Sequence, residues 1–188
     1  LLAQAEADYA EALARDPGAS GLRINRAGVA LAHAQAAAAR GEDPREFFRH
    51  AESILSEVLS GNPDAVFAWQ NRGFARLQHG LAEGARSGDP RELFRDAAAD
   101  LAEALKRAPR RNDARNLRGL ALWRLGEARA ARGEEPGEAW SGAEAEFRAL
   151  AEGDPGAWGS LGRLFASARR WEDAIAAYGL ALKRAEER

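Results

Sequence analysis

His33, His50 and His79 are the three histidines of the chain, and with no cysteine present any transition-metal site would have to be built on them. No two stand at the i, i+4 spacing that sets a pair of ligands on one helical face, so the pattern points to surface or groove histidines and to no metal. Gly159-Ser160-Leu161-Gly162 resembles half of a nucleophile elbow, but it lacks the flanking glycine and any strand-forming run before it. Neither a phosphate loop nor a dinucleotide fingerprint occurs. Glu134 and Glu135 fall where a helix begins, a place where carboxylates complement the helix dipole. These residues imply no catalytic site and no cofactor. Lys106-Arg107-Ala108-Pro109-Arg110-Arg111 is the densest positive stretch. It reads first as a solvated turn, and second as a patch that steers an acidic partner and weakens with salt.

Function must then reside in a surface, and composition says what carries that surface. Hydrophobic residues make up 46% of the 188, charged ones 30%, with alanine abundant and no threonine. Alanine loses no side-chain entropy in a helix, while strands have few β-branched residues to use. The class expected is all-α. A net charge of -2 and a pI near 6.0 argue against nucleic acid as a partner, since phosphate binding needs concentrated positive charge. Lys106 and Lys183 are the only lysines among the 27 basic residues, a bias expected of a GC-rich genome. No apolar run approaches the roughly 18–20 residues of a membrane span, so no membrane partner is expected. The chain starts at Leu1, inside what reads as a repeat, as an excerpt of a longer protein would. Cytoplasmic is the default localisation.

Pro17, Pro63, Pro109 and Pro155 stand 46 residues apart, and Pro44, Pro90 and Pro136 repeat with the same step. Such a period marks a solenoid array, whose units bury their apolar faces only by stacking. Twelve residues before the first proline series stand Ala5, Ala51, Ala97 and Ala143. Tyr9, Leu55, Leu101 and Phe147 stand eight before it, and Leu2, Phe48, Phe94 and Trp140 fifteen before. Offsets of three, four and seven put these columns on one helical face. Asp43-Pro44 and Asp89-Pro90 read as N-caps followed by proline at the first helical position. Gly41, Gly88 and Gly133 lie where the preceding helix must end. The punctuation predicts helices over 2–15, 20–40, 45–60, 65–86, 91–107, 112–132, 137–152, 157–168 and 171–186.

Trp158, Leu161, Gly162 and Phe165, then Ala174, Tyr178 and Ala181, match the tetratricopeptide pattern W-x2-L-G-x2-Y…A-x3-F. Trp171-Glu172-Asp173-Ala174-Ile175 resembles the opening of that family's second helix. A HEAT-type array would share the period but not this set of columns. The resemblance extends upstream with Gly28, Gly73 and Gly119 as crossing glycines and Trp69 as the first-helix tryptophan. It implies one array over 1–188, with a half repeat at 1–19 and repeats at 20–64, 65–110, 111–155 and 156–188, wound as a right-handed superhelix. Gly73 to Ala97 and Gly119 to Ala143 span 24 residues where Gly162 to Ala174 spans 12. Shared equally, the extra residues would lengthen each helix of a pair by about nine ångströms. Arg115, Arg72 and Arg118 stand where the family has tryptophan and leucine. The punctuation Arg40-Gly41-Glu42-Asp43-Pro44 is similar to that of arrays attached to bacterial serine/threonine kinases, although no kinase motif occurs here.

The resemblance also implies a function: first helices of such arrays line a concave face that holds peptides or partner helices. Registered on the glycines, that face comprises an amide row of Asn25, Gln70 and Asn116, an apolar row of Val29, Phe74 and Leu120, and then His33, Gln78 and Arg124. Amides can pair with both the N–H and the C=O of an extended backbone. Val29 and Phe74 occupy places where the family's carboxylate clamp needs asparagine, which excludes chaperone tails. Trp69, Trp140, Trp158 and Trp171 fall in packing columns. Trp123, aligned with Ala32 and Leu77, is left between groove lining and local core filling. The expected function is a non-catalytic scaffold for a protein or peptide partner. Self-association through uncapped ends, at Leu2 and Tyr9 or at Leu180 and Leu182, is the alternative.

Overall fold

The computed structural model describes residues 1–186, which form nine helices and no strand among the described residues. They are α1 (Leu2–Arg15), α2 (Ser20–Ala39), α3 (Arg45–Gly61), α4 (Val66–Ala85), α5 (Arg91–Arg107), α6 (Asn112–Ala130), α7 (Gly137–Ala151), α8 (Gly156–Ser167) and α9 (Trp171–Glu186). Proline and carboxylate punctuation therefore placed every helix within two residues. Asp43 and Asp89 accept the amides of Arg45 and Arg91 at 3.1 and 3.2 Å, but the N-cap positions fall on Pro44 and Pro90, one residue later than expected. Glu135 and Asp154 do the same for Gly137 and Gly156.

The chain divides into two compact units, Leu1–Pro109 and Arg110–Arg188. In the first, each helix from α1 to α5 packs on the next, and α2 also lies beside α4. Its main core joins Ala27, Leu31 and Ala34 of α2 to Phe48, Ala51, Leu55 and Leu59 of α3 and to Ala68 and Ala75 of α4. In the second, α6 to α9 pack in succession and α6 lies beside α8. Its core gathers Trp123, Ala143, Phe147 and Leu150 with Leu161, Leu164, Phe165, Ala174 and Ala177. Ala51, Ala97 and Ala143 are fully buried, as the period requires of a small-residue column at a helix crossing.

Several expectations change. Gly73, Gly119 and Gly162 do sit at crossings: a Cβ on them would lie 2.6 Å from Leu101, Phe147 and Tyr178 respectively. Gly28 does not, being exposed with nothing near it, and the buried Ala27 holds that place. The left-handed residue that ends α4 is Ser87 (φ 62°), not Gly88, and it matches Gly41 (φ 75°) and Gly133 (φ 72°) at the 46-residue step. Pro155 stands directly before α8 rather than two places earlier like Pro63, because α7 has 15 residues where α5 has 17. The twelve extra residues are not shared equally. Past its crossing glycine α4 runs 12 residues to Ala85, and α8 only five to Ser167. Before its crossing alanine α5 has six residues, and α9 three. The first helix takes most of the insertion. Trp171, expected in a packing column, is 60% exposed here.

The turns are tied by charge. Arg45 holds Asp43 at 2.6 Å and reaches Glu83 near the end of α4 at 3.0 Å. Hydrogen bonds from the Arg45 side chain and amide hold the Asp43 carboxyl well below the usual carboxylate range. Two of the four cations in the Lys106–Arg111 run are engaged: Arg107 pairs with Glu103 at 2.5 Å and stacks over Trp69, and Arg111 pairs with Asp113 at 2.7 Å. Those pairs favour the turn reading over a free positive patch.

Candidate interaction surface

In the first unit, α4 presents one side to solvent while its other sides pack on α3, α5 and α2. Phe67, Phe74 and Leu81 are seven residues apart, two turns each, and so lie along one line of the helix. Phe67 is 57% exposed and Leu81 is 37% exposed. Phe74 between them is half-buried, one side of its ring resting on the α2–α4 core. Gln70 and Gln78 share this face at helical spacing and are half-buried. The result is an apolar stripe with amides set into it.

The α2 side is not as expected. With Ala27 in the place of Gly73, the positions matching Gln70 and Phe74 are Ile24 and Gly28. Asn25 and Val29 are one residue further on, about 100° around the helix. Asn25 is exposed and Val29 half-buried, next to the side where Arg26 pairs with Glu6 of α1 at 2.6 Å. His33 is stacked on Phe47, ring centroids 5.5 Å apart. At the positions 46 residues before Phe67, Phe74 and Gln78, α2 carries small residues, Gly21, Gly28 and Ala32.

The corresponding face of the second unit is polar. Asp113 and Glu127 stand 46 residues after Phe67 and Leu81. Asn116 is exposed, and Leu120 is half-buried against its unit's core. Trp123 is buried, its Nε1–H donating to Ser167 Oγ at 3.1 Å, with Arg124 4.8 Å above the ring. Ser167 in turn donates to Glu127 at 2.8 Å. The tryptophan thus fills core between α6 and α8, in line with Leu31 and Leu77, which are also buried. Of the expected rows, Gln70 and Phe74 come together on α4, and Asn116 and Leu120 on α6. Phe67 and Leu81 were missed, although their seven-residue spacing around Phe74 was visible.

No three His, Cys, Asp or Glu side chains gather in a metal-binding group among the described residues. His79 Nδ1 instead lies 2.8 Å from Glu52 Oε1. Among those residues no helix is long and apolar enough to cross a membrane.

No protein-family model and no curated protein sequence matches the chain. Among solved structures, MamA aligns with a TM-score of 0.62 over 95% of this chain and 85% of that one, at 16% identity. The fold is that of tetratricopeptide repeats. YrrB, described as a TPR protein with an unusual peptide-binding site, aligns over 93% of this chain and 91% of its own at 16% identity, with a TM-score of 0.42. Within the tetratricopeptide scheme α2, α4, α6 and α8 are first helices, and α1, α3, α5, α7 and α9 are second helices.

Proposed function

We propose that this chain is a non-catalytic interaction scaffold, and that the first-helix face of its first unit takes a peptide or partner helix bearing apolar side chains. The observation that carries the reading is the α4 stripe, where Phe67 and Leu81 are exposed two turns either side of Phe74. Large apolar side chains aligned on a solvated face favour an interaction site over chance exposure. Gln70 and Gln78 supply donors and acceptors that fix orientation, and the small residues of α2 leave room beside the rings. Asn25 and Val29 lie one residue out of register with that stripe, and Asn116, Leu120 and the buried Trp123 belong to the second unit, outside the proposed surface. The slightly acidic chain favours protein over nucleic acid as the partner. The bacterial cytoplasm is the setting we infer. An array stacked end to end is the weaker reading, because it would set α9 against α1 and both are second helices, whereas the second helices α3 and α7 each pack between two first helices.

Selection of peptides from a random display library against the 188-residue chain tests this. Selected peptides should carry two or more apolar residues and should bind the Phe67→Glu variant about tenfold or more weakly. Arg95→Glu, on the exposed side of α5, should leave binding unchanged. Equal binding to all three proteins would place the site elsewhere.

A further inference from the structure

In the first unit, His79 of α4 fills the space beside the start of α3. Its ring is buried, stacks on Phe48 with centroids 6.2 Å apart, and sets Nδ1 2.8 Å from Glu52 Oε1. Arg45, one turn before Phe48, reaches across to Glu83 of α4 at 3.0 Å. The second unit keeps one wall of this arrangement and loses the filling. Trp140 and Glu144 of α7 stand two periods of 46 after Phe48 and Glu52. Registered on the crossing glycines Gly73 and Gly162, the place of His79 falls to Ala168, and two periods after Arg45 stands Gly137. α4 runs on past His79 to Ala85, whereas α8 ends at Ser167. A cavity of about 230 Å³ remains, whose walls include Gly137, Trp140, Glu144, Phe165, Ala168 and Arg170. All of these precede α9, and the step from a long hairpin to a short one makes the cavity.

We propose that this cavity takes the imidazole side chain of a histidine on a partner protein. The chain's own His79 shows the fit, with an aromatic ring to stack on and a carboxylate to accept the ring N–H. The size agrees: the cavity is smaller than the roughly 300–1,000 Å³ of sites for drug-sized ligands, and suits a single side chain. Charge narrows the choice further. Arg170 holds Glu144 Oε2 at 2.5 Å and Arg148 holds Oε1 at 2.7 Å. A carboxylate offers about four acceptor sites, so a ring N–H adds to these bonds without displacing them. Since guanidiniums already match the charge of Glu144, a donor that can be neutral suits the site better than a lysine or arginine. A phenylalanine would supply the stack and leave the carboxylate without the donor.

The proposal does not depend on the α4 reading, since the two sites lie in different units. Titration of the isotope-labelled 188-residue chain with N-acetylhistidine methylamide, followed by NMR, tests it. The Trp140 indole and the Ala168 amide should shift together and saturate, with a Kd of about 1–10 mM, the range open to so small a ligand. The phenylalanine analogue of the probe, which stacks but donates nothing, should bind about tenfold more weakly. Ala168→His should supply the ring from the chain itself, as His79 does in the first unit, and should remove binding. Circular dichroism melts identify a variant that fails to fold, and Ala168→Leu, which fills the cavity with an apolar side chain, then replaces Ala168→His. No saturable shift at Trp140 overturns the proposal. So does equal affinity for the phenylalanine analogue, or binding that survives in a folded variant whose cavity is filled from residue 168.

Discussion

Arg72 on α4 holds Asp100 on α5 through two hydrogen bonds, of 2.9 and 2.7 Å, at a crossing where the carboxylate is buried. Arg76 adds a third at 2.8 Å. In the next repeat Glu146, 46 residues on, is likewise buried and receives Arg115 and Arg118. Between α8 and α9 the same two positions are Leu161 and Ala177, both buried. Between α2 and α3 the carboxylate position is the buried Ile54, so the buried carboxylate is present at two of the four crossings and absent from two. The substitution is physically cheap, because desolvating a buried pair offsets most of its Coulombic gain.

Removing one ion is a different matter. Asp100→Ala leaves two guanidiniums facing a buried site, and we expect it to cost about 3–5 kcal/mol. Arg72→Leu combined with Asp100→Ala reproduces the apolar pair of the last repeat and should recover most of that loss. Arg76 retains Glu52 at 3.7 Å in the double variant. Urea unfolding of the three proteins measures it. A double variant no more stable than Asp100→Ala would mean that the ions are needed as a pair.

The crossing glycines should differ in tolerance. Gly119→Ala drives a methyl against Phe147, which is fully buried, and should cost about 1–3 kcal/mol. Gly162→Ala meets Tyr178 at the same 2.6 Å, but that ring is open on its outer side and can swing away. Its cost should be near zero once the gain of about 1 kcal/mol in helix propensity is included. Denaturant midpoints compare the two directly.

The helices were legible because each is bounded by its own chemistry. Proline, carboxylate caps and a repeated alanine column mark them without help from distant residues. The surface was less legible, for one local reason. A crossing needs a small residue, and α2 offers Ala27 and Gly28 side by side. Choosing the glycine turned Asn25 and Val29 by one residue and aligned Trp123 with Ala32 rather than with the buried Leu31. Trp171 shows a second limit: its column is shared with Trp140, but burial depends on what packs against the residue, which the column does not encode. The ion pairs were readable in principle, since Arg72 precedes Asp100, and Arg118 precedes Glu146, by the same 28 residues.

Ser87 is a non-glycine residue at φ 62°, in the place held by Gly41 and Gly133 in the neighbouring repeats. The left-handed region strains a residue with a Cβ, whereas glycine enters it freely. Ser87→Gly should raise stability by about 0.5–1 kcal/mol after allowing for glycine's greater freedom in the unfolded chain. Gly41→Ala should lower it by about 1 kcal/mol, for the converse reason. A thermal melt of each variant checks the sign.

Asp43 should add acid sensitivity to the α2–α3 turn. Hydrogen bonds from Arg45 lower its carboxyl pKa in the folded chain. Its contribution is therefore complete above the unfolded carboxylate pKa of about 4, and is lost as pH falls from there towards the lowered folded value. Asp43→Asn keeps a capping oxygen and gives up the charge. The stability difference between the parent and Asp43→Asn should be constant from about pH 6 to 8 and should shrink on acidification below about pH 4. Urea midpoints across that range measure it, and a difference independent of pH would show that the ion pair does not contribute.

The α4 stripe should separate binding from folding within one helix. Phe67 and Leu81 are exposed, so Phe67→Ala and Leu81→Ala should change stability by less than about 0.5 kcal/mol. Phe74 is half-buried on the core, so Phe74→Ala should cost about 1–3 kcal/mol, between an exposed and a fully buried phenylalanine. For a peptide selected on this face, all three truncations should weaken binding, each by about 1–2 kcal/mol, or fivefold to thirtyfold in Kd. Gln70→Ala should weaken it less, because an amide that orients a peptide is worth about 1 kcal/mol net. Calorimetric titration and thermal melts on the same four variants give both quantities. Unchanged affinity in Phe67→Ala and Leu81→Ala, with Phe74→Ala weak only in proportion to its lost stability, would reduce the stripe to core packing with two exposed rims.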